Sequence, residues 1–177
     1  MRIGIDVSQL AYEGTGVAQY LKSLIEALLE SDKENQYVLF FSSMRKSMEY
    51  KVWSIKYKNV EIKTFKIPPT LLDLLWNKLH IFPIERFIGD VDVFISSDWT
   101  QPPSRKAKMA TILYDLIVYK YPQETAKKIV ETQKRKLKRI KECAAVLCIS
   151  EATKKDAIEI LGIDEKRLKV VYPGLTL

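Results

Sequence analysis

Histidine and cysteine are scarce in this sequence: 177 residues include one His, His80, and two Cys, Cys143 and Cys148. A single histidine excludes a multi-histidine zinc centre. His80 lies in an apolar segment and suits a packed or surface side chain. The two thiols flank an expected helix-to-strand junction, which suits buried thiols better than a disulfide or a metal site. No metal and no cofactor are expected. Also lacking are a low-complexity tail and any apolar run near the ~20 residues that a membrane-spanning helix requires. With 47% apolar residues the chain can bury a real core. A single soluble, cytoplasmic domain is therefore expected.

Acidic residues are outnumbered, 22 against 29 Lys and Arg, for a formal charge of +7. Between residues 127 and 141 stand eight basic residues and one acid, Glu131. Beneath that charge runs an apolar stripe, Ala126, Val130, Leu137, Ile140 and Ala144, with Gln133 filling the remaining place. The spacing is that of one helix face. The run has no aromatic side chains on which bases would stack, so a nucleic-acid partner is not expected. A surface helix with a solvated outer side is the expected structure. The sharper alternative is peripheral contact with anionic lipid at the inner face of the membrane, at ~1 kcal/mol per basic residue near the surface.

Short apolar runs recur at residues 3–7, 37–41, 60–65, 91–95, 109–113, 145–149 and 168–172. Helical patterns fill most of the gaps. Val17, Leu21, Leu24 and Leu28 mark the first helix, and the basic helix lies near 123–144. Another spans 151–161, with Ser150 as N-cap and Gly162 as stop. Strands buried on both faces read as continuous apolar runs. The alternation predicts an α/β fold, a doubly wound parallel sheet of about six or seven strands covered by helices. The proline-bounded segment 68–87 reads as a short helix plus a loop.

In such a sheet ligands collect outside the carboxyl ends of the strands, where strand order reverses. The loop after the first strand carries Gly14-Thr15-Gly16 at a helix start. Exposed N–H groups there can approach and attract an anion. The loop after the fourth strand, "SSDWTQPP", offers Asp98, Trp99 and Gln101, groups that hydrogen-bond or stack on a sugar. Beside them come Tyr114-Asp115 and Ser150-Glu151 at the ends of the next two strands. Taken singly, each has a structural role open to it: Ser150 can cap a helix, Asp98 close a turn, Trp99 fill core and Asp115 hold a loop. Their repeated placement at one edge favours a shared site. The glycine turn is not a GxGxxG fingerprint, and no acid at the expected spacing marks a ribose site.

The order of segments resembles the N-terminal half of the family 4 glycosyltransferases, which have the two-domain GT-B fold. The resembling stretches are "MRIGIDVSQL" with "GTGVAQYLKSLIEALL", then "NQYVLFFSS", "DVFISSDWTQPP", "TILYDLIVYKYP" and "AAVLCISEATKKDAIEILGIDEKRLKVVYPG". The resemblance implies a Rossmann-like acceptor-side domain over residues 1–173, with an interdomain linker starting at 174–177. It implies transfer of a hexosyl group from a nucleotide-diphosphate sugar to a sugar or lipid-linked acceptor, usually with retention. The second domain, which holds the nucleotide, is expected to lie outside this chain, leaving the chain alone inactive. Carried over by position, Gly14, Thr15 and Gly16 touch the donor diphosphate. Asp98, Trp99 and Gln101 lie near the acceptor with Ser150 and Glu151, and Tyr114 and Asp115 occupy the catalytic position. Many members have His-Asp where this chain has Tyr114-Asp115. Two other readings stay open: a non-catalytic binding or homo-oligomer-forming module, and a self-sufficient nucleotide-dependent enzyme, which the missing fingerprint disfavours.

Overall fold

The computed structural model describes residues 1–46 and 52–174, with Val52 described by its backbone alone. Of the expected linker at 174–177, all but Gly174 lies outside the described residues. Seven strands form one sheet: β1 (Arg2–Asp6), β2 (Gln36–Ser42), β3 (Val60–Phe65), β4 (Val93–Ser96), β5 (Lys108–Leu113), β6 (Ala145–Cys148) and β7 (Leu168–Val170). Every pairing is parallel, in the order β3-β2-β1-β4-β5-β6-β7. From β1 the chain winds outward to β3, then returns to β4 on the other side of β1. The doubly wound sheet expected from the apolar runs is the one observed, and its order reverses between β1 and β4.

Period-two alternation divides the strand side chains between two covered faces. Along β2, Tyr37, Leu39 and Phe41 join Ile5, Leu21, Ile25 and Leu29 in one core. Val38 and Phe40 point the other way, toward Trp76, Ile84, Ile88 and Phe94. A third cluster, around Val146, Leu137, Ile140 and Leu161, closes the β6–β7 half. Cys143 and Cys148 belong to it as free, buried thiols.

Helix α1 (Gly16–Ser31) begins where Gly14 turns the chain at φ +81° and Thr15 Oγ1 accepts from the Ala18 N–H at 3.2 Å. Helix α7 (Glu151–Leu161) opens on Ser150, whose Oγ accepts from the Thr153 N–H at 3.1 Å. It closes on Gly162 at φ +65°, the left-handed stop a glycine supplies. The short helix α2 spans Val52–Lys56. Within 68–87, α3 (Pro69–Leu72) continues into a turn of π-helix, Asp73–Lys78, and α4 follows at Glu85–Ile88. Trp76 is wholly buried there, its ring 5.5 Å from Phe40 and 5.4 Å from Phe87. A short helix α5 (Ile117–Lys120) precedes the basic helix α6 (Lys127–Arg139). On α6 the expected stripe holds at Leu137 and Ile140, which are buried, and fails at Ala126 and Ala144, which are exposed beyond the helix ends.

Gly4 lies in β1 opposite Phe94. A Cβ there would stand 2.7 Å from both Phe94 Cδ2 and Ile88 Cδ1, and both side chains are fully packed. Gly4→Ala is expected to destabilise the domain by about 1–3 kcal/mol through overpacking, read as a lower midpoint of urea unfolding. An unchanged midpoint would show that the layer over β1 yields freely.

Candidate functional site

The loops leaving β4 and β5 diverge from the start of α1 and meet the inner side of α6. They enclose a cleft of about 240 Å³ lined by Val17, Asp98, Trp99, Tyr114, Asp115 and Lys136 among others. Val17 directly follows the glycine turn, whose own residues Gly14, Thr15 and Gly16 are not in the lining. Gly14 and Gly16 are exposed, with open space where a side chain would be. Of the residues singled out in the sequence, Asp98, Trp99, Tyr114 and Asp115 come together in this cleft.

Three others take different places. Gln101 is buried behind the wall, its Oε1 accepting from Ser96 Oγ at 2.5 Å and its N–H donating to Asn77 Oδ1 at 2.9 Å. Asn77 also donates to the Trp99 carbonyl and to Asp73. The π-helical turn thereby clamps the loop that presents Asp98 and Trp99. Ser150 caps α7, and Thr153 of the same turn donates from Oγ1 to the Tyr114 carbonyl at 3.0 Å. Ser150 supports the Tyr114 backbone from behind without lining the cleft. Glu151 is exposed at the helix start.

Tyr114 is buried, with its hydroxyl 3.3 Å from Ser97 Oγ and its ring edge-on to Tyr20 at 5.6 Å. Burial pushes the phenol well above its ordinary pKa, so it stays a neutral hydrogen-bonding group. Asp115 is exposed, and its Oδ1 accepts the Ile117 N–H at 3.0 Å, turning the chain into α5. Asp98 accepts from Gln133 Nε2 at 3.3 Å. Its carboxyl sits deep enough that burial raises its pKa, an effect opposed by the Lys136 ammonium.

Lys136 and Gln133 were legible only in part. The solvated outer side expected of α6 is wrong for Lys136, which is 2% exposed. One turn of helix separates it from Gln133, and both point inward beside Leu137 because α6 is wedged between β5 and the π-helical turn. The Lys136 ammonium donates to the Ile112 carbonyl at 3.3 Å. Burial lowers its pKa, while Asp98 and Asp6 pull it back up. Asp6, at the end of β1, is itself buried and raised by burial, with Oδ1 accepting the Ser8 N–H at 2.9 Å. Among the described residues Lys136 forms no direct ion pair with either carboxylate. A buried cation, Lys136, and a half-buried carboxyl, Asp98, thus line one cleft with hydrogen-bonding capacity left over.

A doubly wound parallel sheet with a cleft of mixed polar and apolar lining at the carboxyl ends of its strands defines an α/β domain with its cleft where such folds generally hold small ligands. A family model, Glycosyltransferase Family 4, matches residues 14–177, and the chain belongs to that family. No curated protein matches the chain significantly.

Burial holds the folded pKa of Asp98 above its unfolded value of about 3.9. The stability this group contributes is full below the unfolded pKa and is lost as pH rises through the folded one. Carboxyl-carbon NMR is expected to show Asp98 titrating above the ordinary range, and higher still in Lys136→Met, which removes the opposing cation. An unshifted or lower value in the variant would show that the two charges do not interact.

Proposed function

We propose that this chain is the acceptor-side domain of a glycosyltransferase, and that its cleft binds a saccharide acceptor, free or lipid-linked. The observation that carries the reading is the floor of the cleft, where the Lys136 ammonium and the Asp98 carboxylate face each other without pairing. A hydroxyl group both donates and accepts, so a sugar hydroxyl can donate a hydrogen bond to Asp98 and accept one from Lys136. Trp99 supplies a flat apolar wall of the kind on which a pyranose face stacks. Gln101 and Ser150 serve this site through the backbone they hold, and Glu151, exposed at the start of α7, is kept in this reading as a contact for a longer acceptor.

In the transfer, the acceptor oxygen forms a bond to the anomeric carbon as the bond from that carbon to the diphosphate oxygen breaks. The acceptor proton passes to a base, and the nucleoside diphosphate leaves. Asp115, exposed in the cleft lining, can receive a hydrogen bond from the reacting hydroxyl, and Tyr114 supplies a neutral hydroxyl on the Ser97 side of the cleft. Gly14, Thr15 and Gly16 offer backbone N–H groups to the donor diphosphate from across the crevice. A diphosphate normally needs charge-assisted bonds from Arg or Lys to complete its grip. We assign those bonds, and the nucleotide contacts, to a second domain in a GT-B arrangement, with retention at the anomeric carbon. The reading places the protein in the cytoplasm. It is supported by the Cys143 and Cys148 thiols, which burial pushes up to about 12 and about 11 and which remain unpaired.

Calorimetry of the 177-residue chain with uridine, guanosine and adenosine diphosphate sugars is expected to give affinities of millimolar or poorer, on the order of 4 kcal/mol. Micromolar binding abolished by Gly16→Val would instead identify a self-sufficient nucleotide site. Saturation-transfer NMR with neutral methyl hexosides is expected to detect binding to the parent chain. Asp98→Asn should weaken it by roughly 1.5–3 kcal/mol, the worth of a hydrogen bond to a charged group. Equal binding by parent and variant would remove Asp98 from the acceptor site.

A further inference from the structure

The π-helical turn Asp73–Lys78 stops at Leu79, and a helix leaves its last carbonyls without partners of its own. Here side chains take them. His80 Nδ1 meets the Trp76 carbonyl at 2.8 Å. Arg139 of α6 donates from Nε to the Asn77 carbonyl at 3.1 Å and from Nη2 to the Lys78 carbonyl at 3.4 Å. Positive side chains are favoured at this end of a helix. Glu142, in the short turn Ile140–Glu142 that follows α6, joins the two. One of its carboxylate oxygens stands 3.2 Å from His80 Nε2 and the other 3.5 Å from Arg139 Nη1.

The two neighbours of His80 decide how many protons its ring needs. A carbonyl and a carboxylate only accept, so each ring nitrogen must donate. A neutral imidazole carries one N–H and an imidazolium carries two. The cap is therefore complete with a charged His80 and one hydrogen bond short with a neutral one. Histidine is the side chain whose charge changes between pH 5 and 8. The charged groups around the ring are Glu142 and Arg139 from the end of α6, with Lys78 on the turn and Lys141 beside Glu142, both exposed.

His80 stands in the left-handed region at φ 55°, one residue past the C-cap Leu79. Glycine or Asn ordinarily fills that place. A histidine there folds its ring back over the helix end, which a glycine cannot do.

The capped turn also holds the cleft wall. Asn77 Nδ2 donates to the Trp99 carbonyl at 2.9 Å, and Asn77 Oδ1 accepts the Gln101 N–H at 2.9 Å. Asp98 and Trp99 line the cleft. The Asn77 carbonyl and those on either side of it are thus tied to Arg139 and His80, while its side chain sets the loop after β4.

We propose that His80 is a positioning residue for the cleft. As an imidazolium it completes the cap of the π-helical turn, and through Asn77 it holds the loop of Asp98 and Trp99 in register. The loop is held less firmly as His80 loses its proton. The consequence for saccharide binding rests on the reading of the cleft given above; the effect on the loop does not.

Amide NMR of the 177-residue chain between about pH 5.5 and pH 8 tests it. The Asn77 side-chain amide and the backbone N–H groups of Thr100 and Gln101 are expected to shift along the titration curve of the His80 ring. In His80→Asn, a residue that tolerates the left-handed backbone, that component should vanish. Asp98 and Lys136 are common to both proteins, so whatever they contribute remains in both. Glu142→Ala, at an exposed position, should abolish the component with the histidine still in place, since a neutral ring then satisfies the Trp76 carbonyl from Nδ1 at every pH. Methyl hexoside affinity of the parent is expected to fall from pH 5.5 to pH 8 by about two- to fivefold more than in either variant, the scale of a partly exposed ion pair. Loop resonances that ignore the His80 titration would overturn the proposal, as would a pH response that survives both variants. Loop shifts that follow His80, with no hexoside bound at any pH, would uphold the positioning role and refute the saccharide reading alone.

Discussion

A sheet whose strands all run parallel cannot be closed by tight hairpins; each strand reaches the next through a crossover laid over one face. That requirement governs this molecule. Winding outward from β1 to β3 sends α1 and its partners over one face, and returning to β4 sends the later helices over the other. Both faces are filled, which is why Val38 and Leu39, adjacent in sequence, serve separate cores. The loops diverge where the winding reverses, and the cleft occupies the gap they leave. Polar groups line it because strands end there: Asp98 and Trp99 follow β4, and Tyr114 and Asp115 follow β5, while Asp6, at the end of β1, lies behind the lining.

Lys136 sets the character of that cleft. Removing an ammonium from water costs several kcal/mol unless charge and hydrogen bonds compensate it. The Ile112 carbonyl, Asp98 and Asp6 supply the compensation. An apolar side chain at this inward position of α6 would avoid the cost altogether. The arrangement gives the site a fixed dipole, cation from the helix and anion from the β4 loop, and a neutral polyol meets such a dipole better than a free anion does. The clamp of Asn77 and Gln101 keeps the loop in register with it, so part of the polar chemistry of the sequence is spent on positioning.

Much of this was legible in the residues. Ser150 and Gly162 bracket α7 as their capping chemistry requires, and the run at 60–65 is β3 residue for residue. The cleft's contributions from Asp98, Trp99, Tyr114 and Asp115 followed from strand ends alone. What escaped has physical causes. Lys136 sits in a run of eight basic residues, and helical periodicity in so charged a stretch does not say which lysine is turned inward. Gln101 reads as a ligand group because its burial depends on Asn77, distant in sequence and on a π-helical turn that no local pattern announces. The outward-facing apolar residues at 71–82 escaped because an apolar, proline-bounded segment reads as core. Leu71 and Leu74 face out from the helix they belong to, and Ile81 and Phe82 stand exposed beside the left-handed backbone at His80 and Phe82.

The central claim is that the cleft takes a saccharide between the buried Lys136 ammonium and the half-buried Asp98 carboxyl. Amide and indole chemical-shift mapping of the chain titrated with a neutral methyl hexoside tests it most directly. The account predicts saturable shifts of the Gln133 side-chain amide, the Trp99 indole N–H and the backbone around Tyr114, all lost in Lys136→Met, while residues 71–82 stay still. Shifts that leave Gln133 and Trp99 untouched, or that persist unchanged without the ammonium, would contradict it.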